Sequence, residues 1–286
     1  MGKYKNFVGL GIAGNFALHL EQAGELEEFK NIVTAEEVAP KGIFPFYLPK
    51  QRATAEKQRY LTANKMLSTY PISSNSLLLP KEDVNIQAEP EVAIICRLEY
   101  QNGMVSNIEP THFTAYNDCS IRVEGASKIS DKKNWGADSK GLSNDLIAID
   151  KFKSGGIMDS YSIASFLKRD EEVHAYGEDV ELTGYSYFHD KLLNWIKNKL
   201  VTQEDFGPLE PISEYLTICA NPDEAIVSIG ATRYTEYGEK TFLKTHDEVI
   251  VVVYNSDKFS SQEIAQMAKE NSLGNEEMSV LIQKVL

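Results

Sequence analysis

The sequence predicts an α+β chain that is mainly β, and three observations predict it. After residue 78, stretches rich in β-branched and aromatic residues follow one another between turn signals, at 91–100, 112–123, 145–152, 161–169, 171–176, 225–234 and 247–255. Strong helical patterning in this part is confined to Lys191–Leu200, with Leu192, Leu193, Ile196 and Leu200 on one face, and to Ser260–Ala268, which opens with a Ser260/Glu263 capping box. The regular strand–helix alternation of a doubly wound sheet is absent.

Taken from the N-terminus, the stretch NFVGLGIAGNF places Gly9, Gly11 and Gly14 in G-x-G-x-x-G spacing. A strand over 5–10, a helix over 13–23 and a strand over 31–34 with Glu36 beyond it would form a dinucleotide-binding unit, with glycines admitting a pyrophosphate to a helix N-terminus. A lone glycine motif without the alternation that should follow leaves an NAD-binding oxidoreductase as a remote alternative. Prolines at 40, 45, 49, 71 and 80 restrict the next helix to Ala53–Leu67, and a basic run of Lys50, Arg52, Lys57, Arg59 and Lys65 reads as a solvated loop or as cover for an anionic substrate. The expected division is a smaller N-terminal region with a lid-like helix over 1–78, a catalytic β core over 79–258 and a helical tail over 259–286.

Composition excludes several function classes. A formal charge of −13 over 286 residues opposes a nucleic-acid backbone or an anionic membrane as principal partner. No apolar run approaches the roughly 18–20 residues of a membrane span, and the N-terminus has no hydrophobic leader, so a cytoplasmic location is expected. Cys96, Cys119 and Cys219 are odd in number, widely spaced and set in apolar runs, which predicts buried free thiols rather than disulfides or a zinc site.

The chemistry-bearing pattern is QAEPEVAIICRLEY. Glu89 and Glu91 lie two apart at a strand entrance, so both carboxylates share one face, where like charges repel unless a cation sits between them or solvent surrounds them. Hard oxygen ligands on a rigid strand suit Mg²⁺ or Mn²⁺, with Ca²⁺ as a further option. In TAYNDCSIRV, Asp118 occupies a strand-like apolar setting, as a third ligand or as a turn residue after Asn117.

The E-x-E strand followed by YNDCSIR resembles the fumarylacetoacetate hydrolase superfamily. Its closing stretch is matched by AIVSIGATRYTEYGEKTFLKTHDEVIVVV, and its opening segment by AGNFALHLEQAGE through Asn15, Phe16 and His19. The resemblance implies a mixed β-sheet roll with few helices, and a divalent ion on Glu89, Glu91 and Asp118. It implies catalytic roles for His19, Arg122 and Lys140, the last following Trp135 as the family's lysine follows a tryptophan, and substrate contacts at Gly230 and Thr232. It also implies a homodimer. Three departures stand out: Gln22 replaces the glutamate that partners the family's histidine, Ala231 and Thr232 follow Gly230 where the family has Gly-Thr-Pro, and Ser143 stands where an aspartate often follows the family's lysine.

The family's platform implies a metal-dependent enzyme acting on a β-dicarbonyl or α-keto acid through an enolate. Carbon–carbon bond hydrolysis ranks narrowly ahead of decarboxylase, isomerase or hydratase chemistry. A catalytically silent metabolite-binding protein is the alternative that Gln22 and the altered glycine loop motivate.

Overall fold

Long strands with apolar residues on both faces build two packed sheets in the computed structural model, which describes residues 2–17, 19–50, 53–63, 66–123 and 125–286. Among the described residues, the larger sheet runs in the order Gly42–Tyr47, Val8–Ala13, Glu224–Ser228, Pro90–Gln101, Met104–Asn117, Lys140–Leu142 and Ile72–Ser73, with Ile147–Ala148 paired beside Met104–Asn117. The second sheet runs Glu172–Glu181, Tyr161–Arg169, Glu248–Asn255, Met278–Val285 and Ser76–Leu77, and a small ladder joins Asn85–Gln87 to Ser120–Arg122.

The two-residue period of Pro90–Gln101 separates its faces. Val92, Ile94 and Cys96 pack with Val249, Val251, Val253 and Leu281 of the second sheet, whereas Ala93 and Ile95 pack with Phe46, Tyr47 and Tyr116. Glu91 begins this second row. Both sides of the strand are therefore covered, and its carboxylate end lies inside the molecule rather than at its rim.

Gly9 and Gly11 of the glycine motif lie inside the strand Val8–Ala13, and Gly14 follows it in a turn. A Cβ on Gly9 would fall 2.2 Å from the Phe46 ring, and one on Gly11 2.2 Å from the Phe44 ring. These glycines admit two aromatic rings, not a phosphate. The regular helix expected over 13–23 is a single turn at His19–Gln22, and residues 31–34 form no strand. Val8–Ala13 does lie parallel to Glu224–Ser228, but its other neighbour, Gly42–Tyr47, is antiparallel, which is not the dinucleotide arrangement.

The helices expected near 191–200 and 260–268 form as His189–Thr202 and Ser261–Lys269, the latter with the Ser260/Glu263 capping box in place. The stretch read as a helical tail differs after that helix: Met278–Val285 is a strand of the second sheet. Its inward row carries Ser279 and Gln283, which hides its strand pattern. Ala55–Ala63 is helical, Arg52 and Lys65 of the basic run lie outside the described residues, and Lys57 Nζ donates to the Thr217 carbonyl. All three cysteines are free and buried. Among the described residues, no helix is long and apolar enough to cross a membrane.

Candidate active site

The carboxylates meet because the long hairpin closes beneath them. Glu91 lies opposite Tyr116 and Pro90 opposite Asn117, and the Asp118 N–H donates to the Glu89 carbonyl at 2.9 Å. Asn117 locks this junction: its Oδ1 accepts from the N–H groups of Glu89 and Cys119, each at 3.1 Å, and its Nδ2 donates to Gln283 Oε1 at 3.0 Å. Glu89, Glu91 and Asp118 are buried, with one ligand oxygen from each within 4.8 Å of the others. Such a set can hold a metal ion.

Four cations converge on the same region. Arg122 Nη2 lies 2.9 Å from Glu89 Oε1 and donates to Tyr234 Oη at 2.8 Å; its Nη1 donates to Glu25 at 2.9 Å and its Nε to Gln87 at 2.7 Å. Lys132 bridges Glu25 and Glu28, at 2.8 and 2.9 Å. Lys140 Nζ donates to the Asp118 and Cys119 carbonyls and stands 3.3 Å from Asp118 Oδ1. Lys133, which the sequence reading passed over, places Nζ 2.5 Å from Glu89 Oε2 and 2.6 Å from Asp118 Oδ2, with the Phe44 ring centroid 5.1 Å away.

This arrangement shifts the ionisation of its members. Burial favours a neutral Glu89, but Lys133 and Arg122 overcome it and hold the carboxyl well below its usual range. Glu91 goes the other way: burial, then the negative charges of Asp118 and Glu89, push its carboxyl well above the usual range. Burial likewise lowers the Lys140 ammonium, against the pull of Asp118. The Glu91 Oε2 atom accepts from the Gly230 N–H at 3.0 Å, and Gly230 itself has a φ of +114° that disfavours any side chain.

His19 is buried beside this cluster, and its Nδ1 lies 2.9 Å from the Thr232 carbonyl. A carbonyl can only accept, so Nδ1 carries the proton and Nε2 is the free nitrogen of a ring that burial keeps neutral by lowering its pKa. Gln22 does not pair with His19. Its amide grips the backbone of Tyr234 instead, accepting from the N–H at 2.9 Å and donating to the carbonyl at 3.2 Å. The Thr232 carbonyl, rather than a neighbouring side chain, thus orients the imidazole.

All eight residues expected from the sequence are brought together, Gly230 and Thr232 through backbone groups. Glu25, Lys132, Lys133 and Tyr234 complete the cluster. The space among His19, Glu89, Glu91 and Lys133 is about 10 Å³, room for one water at most, whereas a cavity of about 520 Å³ lies against Arg122 and Lys132, with Gly24, Glu28 and Ile121 also in its wall.

A model of the family of unknown function DUF5718 matches residues 25–285. The chain belongs to this family. No curated protein matches it. Among solved structures it is similar to a protein from Yersinia pestis CO92 assigned to the fumarylacetoacetate hydrolase family, at 11% identity over 98% of this chain and 93% of that one, with a TM-score of 0.52. Cg1458 with inhibitor aligns at 14% identity over 98% and 76%, TM-score 0.54, and a protein from Mycobacterium abscessus ATCC 19977 / DSM 44196 at 13% identity over 98% and 78%, TM-score 0.51. At these identities the likeness establishes the fold, a fumarylacetoacetate hydrolase-type mixed β structure.

Whether this DUF5718 chain suits the divalent ion implied by that resemblance turns on Lys133. The donor set fits, and Glu89 Oε1 and Asp118 Oδ2 accept no well-directed hydrogen bond, a deficit that an ion would relieve. The place between Glu89 and Asp118 is nevertheless taken. A divalent ion on the same oxygens would have to share them with an ammonium already 2.5 and 2.6 Å away, and like charges that close repel strongly in a buried site. With Lys133 where it lies, the residues do not fit the ion.

Proposed function

We propose that the protein acts on a small anionic carbonyl compound, a β-dicarbonyl or α-keto acid, entering through the cavity walled by Arg122 and Lys132. The observation that carries this reading is the buried juxtaposition of a neutral imidazole with fixed cations: His19, with Nε2 free, borders the same space as Lys133, and Glu25, the ion-pair partner of Arg122 and Lys132, stands in the wall of both that space and the cavity. A base beside fixed positive charge suits removal of a proton next to a carbonyl, because the negative charge that develops on oxygen meets donors already in place.

In this reading Arg122 or Lys132 receives the substrate carboxylate by exchanging Glu25 or Glu28, Lys140 stabilises the developing oxyanion, and His19 moves the proton. Carbon–carbon bond hydrolysis is the first reaction to test, since a free Nε2 can also activate water, with decarboxylation, isomerisation and hydration next. The test is turnover of oxaloacetate and a series of acylpyruvates by the parent and by His19→Gln. Turnover lost in that variant, with its fold retained, supports the enzyme.

One observation favours the second reading, a catalytically silent binding protein. Each of Arg122, Lys132, Lys133 and Lys140 is already matched with a carboxylate. Calorimetric binding of a keto acid without turnover would establish that reading, and neither binding nor turnover would overturn both. A homodimer remains part of the proposal, checked by sedimentation.

A further inference from the structure

We propose that Lys133 is the resident cation of this fold's metal position, so that an internal ammonium replaces the divalent ion and the protein is independent of metals. The proposal concerns the site described above but not its substrate, and it stands whether or not a keto acid is turned over.

The first ground is contact. Nζ of Lys133 bridges the two halves of the acidic set, 2.5 Å from Glu89 and 2.6 Å from Asp118, and the side chain is almost fully buried. A long, flexible lysine loses much rotamer freedom when fixed in this way, which the contacts must offset. The Phe44 ring lies 5.1 Å from Nζ and adds a face that favours a cation. Gly11 makes room for that ring, since a Cβ there would lie 2.2 Å from it.

The second ground is that the backbone carrying Lys133 is pinned on both sides. Its N–H donates to the Ser130 carbonyl at 3.0 Å, and the Ile129 N–H donates to the Pro208 carbonyl at 3.1 Å. On the other side, Asn134 Nδ2 donates to the Phe46 and Thr69 carbonyls at 2.8 and 3.0 Å, and its Oδ1 accepts from Gly136. The neighbouring Lys132 is tied to Glu25 and Glu28. Lys133 cannot leave by a swing of its loop without breaking these bonds. Charge gives the third ground, because Arg122 already serves the other oxygen of Glu89 and Lys140 the other oxygen of Asp118. With two cations flanking and Lys133 between the carboxylates, a further double positive charge has no unmatched partner except Glu91.

The test is calorimetric titration of the EDTA-treated full chain with Mn²⁺ and Mg²⁺, alongside Lys133→Met and thermal unfolding of both proteins. The parent should show no binding up to millimolar metal and no change in Tm. Lys133→Met should have a lower Tm, bind one Mn²⁺ tighter than the parent by about 100-fold or more, the scale set by removal of a buried charge partner, and regain Tm when Mn²⁺ is added. One-to-one micromolar binding by the parent overturns the proposal, as does a folded Lys133→Met that binds no more metal than the parent. Should the variant not fold, metal content decides: the parent purified from Mn²⁺-supplemented medium should carry well under one ion per chain, and one ion per chain refutes the replacement. Failure of the keto-acid reading would show only in the turnover assay and would leave these titrations readable.

Discussion

Lys133 and Gln22 show how differently single residues disclose their roles. Glu89, Glu91 and Asp118 were legible because carboxylates in an apolar strand setting conflict with their surroundings, and such a conflict points to a partner. Lys133 gave no such sign. It sits in SDKKNW, a run that reads as solvated loop, and its burial depends on Phe44, Glu89 and Asp118, which belong to other elements. Gln22 was legible as a departure, but its use as a clamp on Tyr234 was not. Gln22→Glu would keep an acceptor for the Tyr234 N–H and lose the donor to its carbonyl, placing a carboxylate against that oxygen. The expected cost is about 1–2 kcal/mol by urea denaturation, with no recovery of a histidine–carboxylate pair. A gain in stability would contradict this account.

The elements that eluded sequence reading are those whose inward rows carry polar side chains or whose partners are distant. Met278–Val285 turns Ser279 and Gln283 inward, where Ser279 Oγ meets Thr114 Oγ1 at 2.9 Å and Gln283 supports Asn117. An apolar periodicity search cannot register that row. The strand is nonetheless part of the site's foundation, since Gln283 also donates to the carbonyls of Ser76 and Lys140. Gln283→Leu leaves several buried polar groups unmatched, and a loss of about 3 kcal/mol is expected in chemical denaturation. The first strand makes the complementary case, where a strong local motif misleads. Gly9 and Gly11 match a phosphate-binding spacing, yet each faces a phenylalanine whose side chain is buried and cannot retreat. Gly11→Ala should cost about 1–3 kcal/mol through overpacking, and NADH should bind neither protein. A neutral Gly11→Ala would mean that Phe44 has room to move, weakening the case that it holds Lys133.

At the scale of the whole molecule, the fold class followed from counting strands against helices, while the charge balance of the interior could not be read from a net charge of −13. That balance sets a pH dependence with competing signs. Glu89 has a depressed carboxyl, so its contribution is present above the ordinary value of 4.5 and lost as pH falls through the folded one. His19 is lowered from 6.5, so between its folded and unfolded values the unfolded chain binds more protons, and stability again falls on acidification. Glu91 acts in the opposite sense. Its folded carboxyl is raised well above 4.5, so above that value the unfolded chain releases a proton that the native state retains, and stability declines as pH rises toward the folded value. Urea midpoints across pH 4–8 should therefore show a loss below 6.5 from His19 and a decline on the alkaline side from Glu91, while the loss from Glu89 sets in only below 4.5. Glu91→Gln separates them, because glutamine keeps an acceptor for the Gly230 N–H and mimics the protonated acid. The variant should match the parent near pH 5 and exceed it at pH 8. Equal destabilisation at both values would mean that Glu91 is ionised in the native protein, which would in turn require more positive charge between the carboxylates than Lys133 supplies.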